Sequence, residues 1–122
     1  MERSTRQRTA IRQVIEAAGR PLSTQEILDA SQVSVPGLGI ATVYRNIKAL
    51  LEAGEIDLVT LPGENPRYEQ AHQKHHHHFQ CTRCQRVFDV FSCPGSFKGM
   101  APPGFEVESH ELTLYGRCPD CA

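Results

Sequence analysis

Apolar positions in the first half of the chain recur at helical spacing, whereas those in the second half fall in short alternating runs. Ile11, Val14, Ile15 and Ala18 lie three or four residues apart, which predicts a helix over residues 5–18 that Gly19 and Pro21 end. Ser23-Thr24-Gln25-Glu26 reads as a capping box, in which the serine side chain accepts from the Glu26 amide and the Glu26 carboxylate returns to the serine amide. Ile27 and Leu28 then begin the buried face of a short helix that stops near Ser31. After the turn residues Ser34, Pro36 and Gly37, a third helix is expected from Gly39 to Ala53. Val43, Ile47, Leu50 and Leu51 share its inner face, and Gly54 suits the left-handed position just past its end.

Glu55 to Thr60 has the composition of a strand, residues 62–66 (Pro-Gly-Glu-Asn-Pro) that of a turn, and Arg67-Tyr68-Glu69 returns. Three helices followed by a hairpin outline a winged helix-turn-helix, whose third helix enters the DNA major groove. Opposite Val43 and Ile47 that helix carries Thr42, Tyr44, Arg45 and Lys48: a hydroxyl, a phenol able to touch thymine methyls, and two cations for phosphate or guanine. A polar outer face is ordinary for any one helix; the order of elements and the wing turn the reading toward DNA.

Gln70 to Lys74 is short and polar, a hinge by composition. Beyond it Phe79, Val87 to Val90, Phe105 to Val107 and Leu112 to Tyr115 read as strands, and Pro94 to Ala101 as a short helix with Phe97 and Met100 facing in. The expected fold class is α+β. An N-terminal winged-helix DNA-binding domain covers residues 1–69, a hinge 70–74, and a second, metal-binding domain 75–122.

Composition changes this picture in two places. The formal charge of the 122 residues is −1, yet Arg3, Arg6, Arg8 and Arg12 face Glu2 alone within the first twelve residues, and such a basic arm can bind phosphate. No run approaches the roughly 18 apolar residues of a membrane span. No charged-then-apolar leader opens the sequence, so a cytoplasmic location with reduced thiols is expected.

The densest chemistry lies in His75-His76-His77-His78-Phe79-Gln80-Cys81-Thr82-Arg83-Cys84, with a second thiol pair at Cys118 and Cys121. Two C-x-x-C knuckles are what a tetrahedral structural zinc needs, and the 33 residues between them leave room for a small folded unit. Two disulfides are the alternative, disfavoured by the reducing location; a redox C-x-x-C would need one pair in a strand–helix setting. Cys93 stands outside the pairs, either as a small buried residue or as an additional ligand. On a strand, alternate side chains face opposite ways, so His76 and His78 share one side and His75 and His77 the other, and one segment can serve two metal sites. The histidine run also has a plain reading as a solvated polar stretch. A zinc deaminase would need H-x-E and a metallopeptidase His-Glu-x-x-His; neither is present, although Cys118-x-x-Cys121 matches half of the deaminase pattern, so no enzyme is expected. A zinc-stabilised protein-interaction module without DNA binding is the other alternative.

Thr42-Val43-Tyr44-Arg45, Leu51-x-x-Gly54, Arg67-Tyr68-Glu69, the histidines before Cys81-x-x-Cys84, and His110-x-Leu112-x-Leu114-Tyr115-Gly116-x-Cys118-x-x-Cys121 together resemble the ferric uptake regulator family of bacterial metal-sensing repressors. The resemblance runs over about residues 4–121. It implies a homodimer, each subunit a winged helix followed by a small α/β dimerisation domain with a structural zinc on Cys81, Cys84, Cys118 and Cys121. It further implies binding of double-stranded, AT-rich palindromic operators when a regulatory divalent metal, zinc, iron(II) or manganese(II), is held by Glu69, His76, His78 and Asp89. A histidine that members often add from the DNA-binding domain falls near Pro21 here, and His72 is a candidate substitute. A further metal site falls on His75, His77 and His110; its usual acidic residue lies near Ser96, and Cys93 is the candidate in its place. The resemblance assigns base reading to Tyr44 and Arg45, phosphate contact to Arg8 and the minor groove to Arg3. Peroxide-sensing members share this site pattern. The absence of the usual histidine near Pro21, together with Cys93 and His72, tilts the expected regulatory metal toward zinc.

Overall fold

Helix α1 spans Glu2–Ala18, so it begins ahead of the apolar stripe that signals it. Gly19, at φ +63°, takes the left-handed conformation that ends it, which costs a residue without Cβ little. The computed structural model describes residues 2–122 and separates them into two units, the first ending at Gln73 and the second running from Lys74 to Ala122.

In the first unit, strand β1 (Leu22–Ser23) leads directly into α2 (Thr24–Ser31). The capping box is present: the Glu26 amide donates to Ser23 Oγ at 3.1 Å and the Ser23 amide to Glu26 Oε1 at 3.0 Å. The second carboxylate oxygen of Glu26 is held by Arg20. Helix α3 (Ile40–Glu52) follows, with Gly54 at φ +73° just past its C-terminal cap Ala53. Strands β2 (Ile56–Val59) and β3 (Arg67–Gln70) form the wing, and β1 pairs with the far edge of β3, giving an antiparallel order β1-β3-β2 with Leu22 and Leu58 both opposite Tyr68. Strand β1 was not foreseen, because two residues between helices carry no periodicity. Ile11, Ile15, Leu22, Ile27, Leu38, Val43, Ile47, Leu50, Ile56 and Tyr68 make one buried cluster to which all three helices and the sheet contribute. Each large side chain so buried contributes about 1.5–3 kcal/mol.

The second unit is a three-stranded sheet. Its central strand β4 (His77–Cys81) pairs antiparallel with β5 (Val87–Val90) and parallel with β6 (Thr113–Gly116). The chain between β5 and β6 is mostly irregular, which corrects two expectations. The helix over Pro94 to Ala101 reduces to a single 3-10 turn, Lys98–Met100, and Phe105 to Val107 forms no strand. Pro94, Gly95 at φ +106° and Pro102 interrupt the backbone there. Met100 and Phe105 are 79 % and 70 % exposed, so no burial stabilises the regular alternatives. No described helix is long and apolar enough to cross a membrane.

Candidate metal centres

All five cysteines are free thiols, which removes the disulfide alternative. Strand β4 ends in Cys81; the turn after it carries Cys84, and a second turn at the end of the chain carries Cys118 and Cys121. The four sulfurs lie within 4.8 Å of one another. A zinc–sulfur bond of about 2.3 Å in a tetrahedron separates sulfurs by about 3.8 Å. The Cys84 and Cys118 sulfurs are 3.8 Å apart, so the donor set fits a structural zinc. The amides of Cys84 and Cys118 each donate to Cys81 Sγ at 3.4 Å. These bonds bring the Cys81 thiol down to about 5 against the opposing effect of its burial. Cys121 is pushed up to about 12 by its hydrogen bond with Cys118 and by burial. A zinc ion held by Cys81, Cys84, Cys118 and Cys121 would supply the positive charge that lets the adjacent sulfurs all be thiolates.

Arg86 is a member of this site that spacing alone does not reveal. Its Nε donates to Cys84 Sγ at 3.1 Å, and its Nη2 donates to Cys118 Sγ at 3.5 Å and to Asp120 Oδ2 at 2.9 Å. The guanidinium holds Cys84 below the ordinary thiol value, and the sulfurs and Asp120 raise Arg86 in return. Such outer donors orient metal-binding thiolates and spread their charge.

The histidines divide as strand alternation requires, even though His75 and His76 precede β4. His76 Nε2 and His78 Nε2 each lie 3.4 Å from Asp89 Oδ1, and Asp89 stands opposite His78 in the β4–β5 register. The Asp89 side chain is only 4 % exposed. His76 Nδ1 is 2.8 Å from the Lys74 carbonyl, which only a protonated nitrogen satisfies. In the neutral ring that leaves the Nε2 lone pair aimed at the carboxylate, an arrangement that a proton or a metal cation relieves. Glu69, the remaining member of the expected regulatory set, is a buried residue of β3 in the first unit. His72, exposed and at φ +64°, joins none of the donor clusters among the described residues.

On the other side of the strand, His75 Nε2 lies 3.1 Å from His77 Nε2 and 3.2 Å from His110 Nε2. Cys93 Sγ closes the group at 3.3 Å from His77 Nε2 and 3.4 Å from His110 Nε2. Burial, followed by the neighbouring imidazoles, holds His77 below the ordinary histidine value, so its ring stays neutral and able to donate a lone pair. Ser96 takes no part; its hydroxyl accepts from the Lys98 amide at 3.2 Å.

On α3, Val43, Asn46, Ile47 and Leu50 point inward, while Tyr44, Arg45 and Lys48 are exposed and Thr42 half-buried. Arg45 Nη2 donates to Thr42 Oγ1 at 2.9 Å, tying two of the four expected DNA-contacting side chains together. Arg3 and Arg8 are exposed on α1, whereas Arg12 is engaged by Glu16 and Glu55 at 3.4 and 3.3 Å.

Residues 2–115 match the sequence model of the ferric uptake regulator family. The chain is 30 % identical over 128 aligned positions to ferric uptake regulation protein 2 of Mycolicibacterium fortuitum, covering 98 % of this chain and 86 % of that protein. It is also 30 % identical over 122 positions to the zinc uptake regulation protein of Mycobacterium tuberculosis, covering 98 % and 94 %. Among solved structures, a zinc-bound manganese uptake regulator aligns with a TM-score of 0.78 at 26 % identity, over 92 % of this chain and 87 % of that one.

Proposed function

The chain belongs to the ferric uptake regulator family, and from that premise we propose how its parts divide the work of a metal-dependent transcriptional regulator. The winged helix of residues 1–69 binds DNA, residues 70–74 act as the hinge, and residues 75–122 hold metal and join two copies into a homodimer. Tyr44 and Arg45 read base edges of an AT-rich palindromic operator. Thr42 and Lys48 support them, Arg8 takes a phosphate and Arg3 reaches the minor groove. Cys81, Cys84, Cys118 and Cys121 hold the structural zinc. The regulatory metal is held by His76, His78 and Asp89, with Glu69 as the fourth ligand. Two imidazoles and two carboxylates accept zinc, iron(II) or manganese(II), and affinity alone does not choose among them; the absence of the usual histidine near Pro21 makes zinc the lead candidate. The product is a repressor of metal-homeostasis genes, and the family's members are regulators rather than enzymes.

The observation that supports the regulatory site most directly is the aim of two imidazole Nε2 atoms at one nearly buried carboxylate oxygen. In this reading metal and DNA favour the same conformation of the protein, so loading the site is linked to DNA binding. Metal then tightens DNA binding, and DNA tightens metal binding by the same factor.

Fluorescence anisotropy of an AT-rich palindromic duplex tests this reading, with the protein stripped of loosely held metal and titrated separately with zinc, manganese and anaerobic iron(II). One metal is expected to tighten binding tenfold or more, about 1.4 kcal/mol of coupling. Equal binding with and without every metal removes the regulatory assignment. A response to iron(II) that hydrogen peroxide abolishes would move the protein to the peroxide-sensing branch.

A further inference from the structure

Four thiolates around one divalent cation carry more negative charge than the cation cancels, and N–H donors from the protein take up the excess. In this chain those donors are shared unequally. We propose that Cys121 is the sulfur left without one, and that it is the corner at which soft carbon electrophiles, the α,β-unsaturated carbonyl class, modify the zinc-loaded protein and free its metal. The proposal rests on the structural-zinc reading of the four cysteines and assigns their order of reactivity.

The distribution of donors carries the first part. Cys81 Sγ accepts from the amides of Cys84 and Cys118, each at 3.4 Å. Cys84 Sγ accepts from Arg86 Nε at 3.1 Å, and Cys118 Sγ from Arg86 Nη2 at 3.5 Å. Cys121 Sγ makes its hydrogen-bond contacts with the other three sulfurs and with no N–H group among the described residues. The nearest amides are already used: those of Cys121 and Ala122 both donate to the Cys118 carbonyl at 2.9 Å.

Exposure points the other way for one sulfur. Cys81 and Cys118 are buried, Cys121 is half-buried and Cys84 is exposed, so access alone would send a reagent to Cys84 first. A hydrogen bond from a cation is about twice as strong as a neutral one, and it draws density from the lone pair that a nucleophile has to donate. Cys84 therefore offers an open but weakened lone pair. Cys121 offers one that is reachable and at full strength.

Arg86 is fixed where it creates this difference. Its carbonyl accepts from the Cys81 amide at 2.9 Å, its guanidinium lies over the Phe88 ring at 5.6 Å from the centroid, and its Nη2 also donates to Asp120 Oδ2 at 2.9 Å. The fork is thus engaged by Cys84 of the first knuckle and by Cys118 and Asp120 of the second, and does not extend to Cys121.

The modification is a conjugate addition. The Cys121 lone pair forms a carbon–sulfur bond to the β-carbon of the alkene, the alkene π pair moves to the α-carbon, and that carbon takes a proton from water, leaving hydroxide. The resulting thioether is neutral, and three thiolates hold the cation more weakly than four.

Peptide mapping by mass spectrometry tests the order. The full-length protein, stripped of loosely held metal and keeping its structural zinc, is treated with limiting N-ethylmaleimide while a chromophoric indicator follows zinc release. Label at Cys93, which lies outside the four-cysteine site, is counted separately. Cys121 is expected to label about tenfold or more faster than Cys84, the scale of one charged hydrogen bond, with zinc release keeping pace with the Cys121 label. Arg86→Gln removes the cation and is expected to bring Cys84 up to the rate of Cys121. Arg86→Lys, whose ammonium cannot span both sulfurs, is expected to fall between. Label appearing first at Cys84 in the wild type, or a ratio of the two rates that both Arg86 variants leave unchanged, would overturn the proposal. Zinc content separates this inference from the reading beneath it. Tightly held zinc that Cys81→Ser loses, with label first at Cys84, keeps the structural site and removes the inference; tightly held zinc that survives Cys81→Ser removes both.

Discussion

The two units of this chain are held together by different means. The first centres on ten buried apolar or aromatic side chains drawn from three helices and a sheet. In the second, the fully buried positions are His77, Gln80, Cys81, Val87 and Cys118, so its centre is mostly sulfur, imidazole and amide. A small unit with so modest an apolar centre gains from a metal staple, and its four-cysteine donor set fits one. The contrast predicts a first unit that keeps its fold without metal and a second that depends on it.

The strongest way to break this comparison is to remove the structural metal. Cys81→Ser, or exhaustive chelation, deletes a site of a kind worth about 10–16 kcal/mol in small zinc domains. Amide protection is expected to vanish across residues 74–122 and to persist over α1, α2 and α3. Loss of protection in both units at once would show that the first depends on the second. The complementary change, Leu50→Ala, empties a fully buried position of the first unit and should cost about 2–5 kcal/mol there. Urea unfolding followed by exchange should show an earlier transition for the first unit and an unchanged one for the second.

A smaller effect is expected at Gly116 on β6, where a Cβ would sit 3.0 Å from the ring of Phe79 on the adjacent strand. Gly116→Ala forces that ring to move and should cost about 1–3 kcal/mol. Restoration by Phe79→Leu would identify the clash as the cause, and full stability of Gly116→Ala alone would show that the ring yields freely.

Legibility in the sequence follows the same division. Periodicity and capping chemistry delivered α1, α2, α3 and the wing, because each is stabilised by the local pattern that signals it. The two-residue strand β1 was invisible, since only its pairing with β3 defines it. In the second unit the C-x-x-C spacing and the histidine alternation placed donors on the correct sides of β4, because the knuckle and the strand pleat are local geometry. What spacing did not convey was how the chain from 91 to 112 comes back. Its glycines and prolines give no period, so the exposure of Met100 and Phe105 had no local sign, and the meeting of Cys93 with His110 was expected from the family resemblance alone. Arg86 was equally hidden, as an arginine two residues past a knuckle reads as any surface cation. Gln85, at φ +66° without being glycine, is held by its side-chain bond to the Thr82 carbonyl at 3.0 Å, a contact that follows from the turn rather than predicting it.

The smallest effect sharpens the comparison through pH. Burial pushes the Glu26 carboxyl up from its ordinary value of 4.5, but Arg20 and the Ser23 amide outweigh it and leave it lowered in the folded protein. The folded first unit therefore binds fewer protons at this position than the unfolded chain does, so its stability rises with pH across the acid range. The contribution is fully present above 4.5 and is lost as pH falls through the depressed value. A partly exposed pair of this kind is worth about 1 kcal/mol or less. Glu26→Gln keeps an acceptor for the Ser23 amide and loses the charge that Arg20 meets. It should unfold at lower urea than wild type at neutral pH and converge with it in strong acid. Reading the transition from amides of α2 alone keeps this separate from the second unit, where protons compete with metal for histidines and acid acts through ligand loss instead. A gap between the two proteins that stays constant with pH would mean that the cap geometry, and not the charge, stabilises the start of α2.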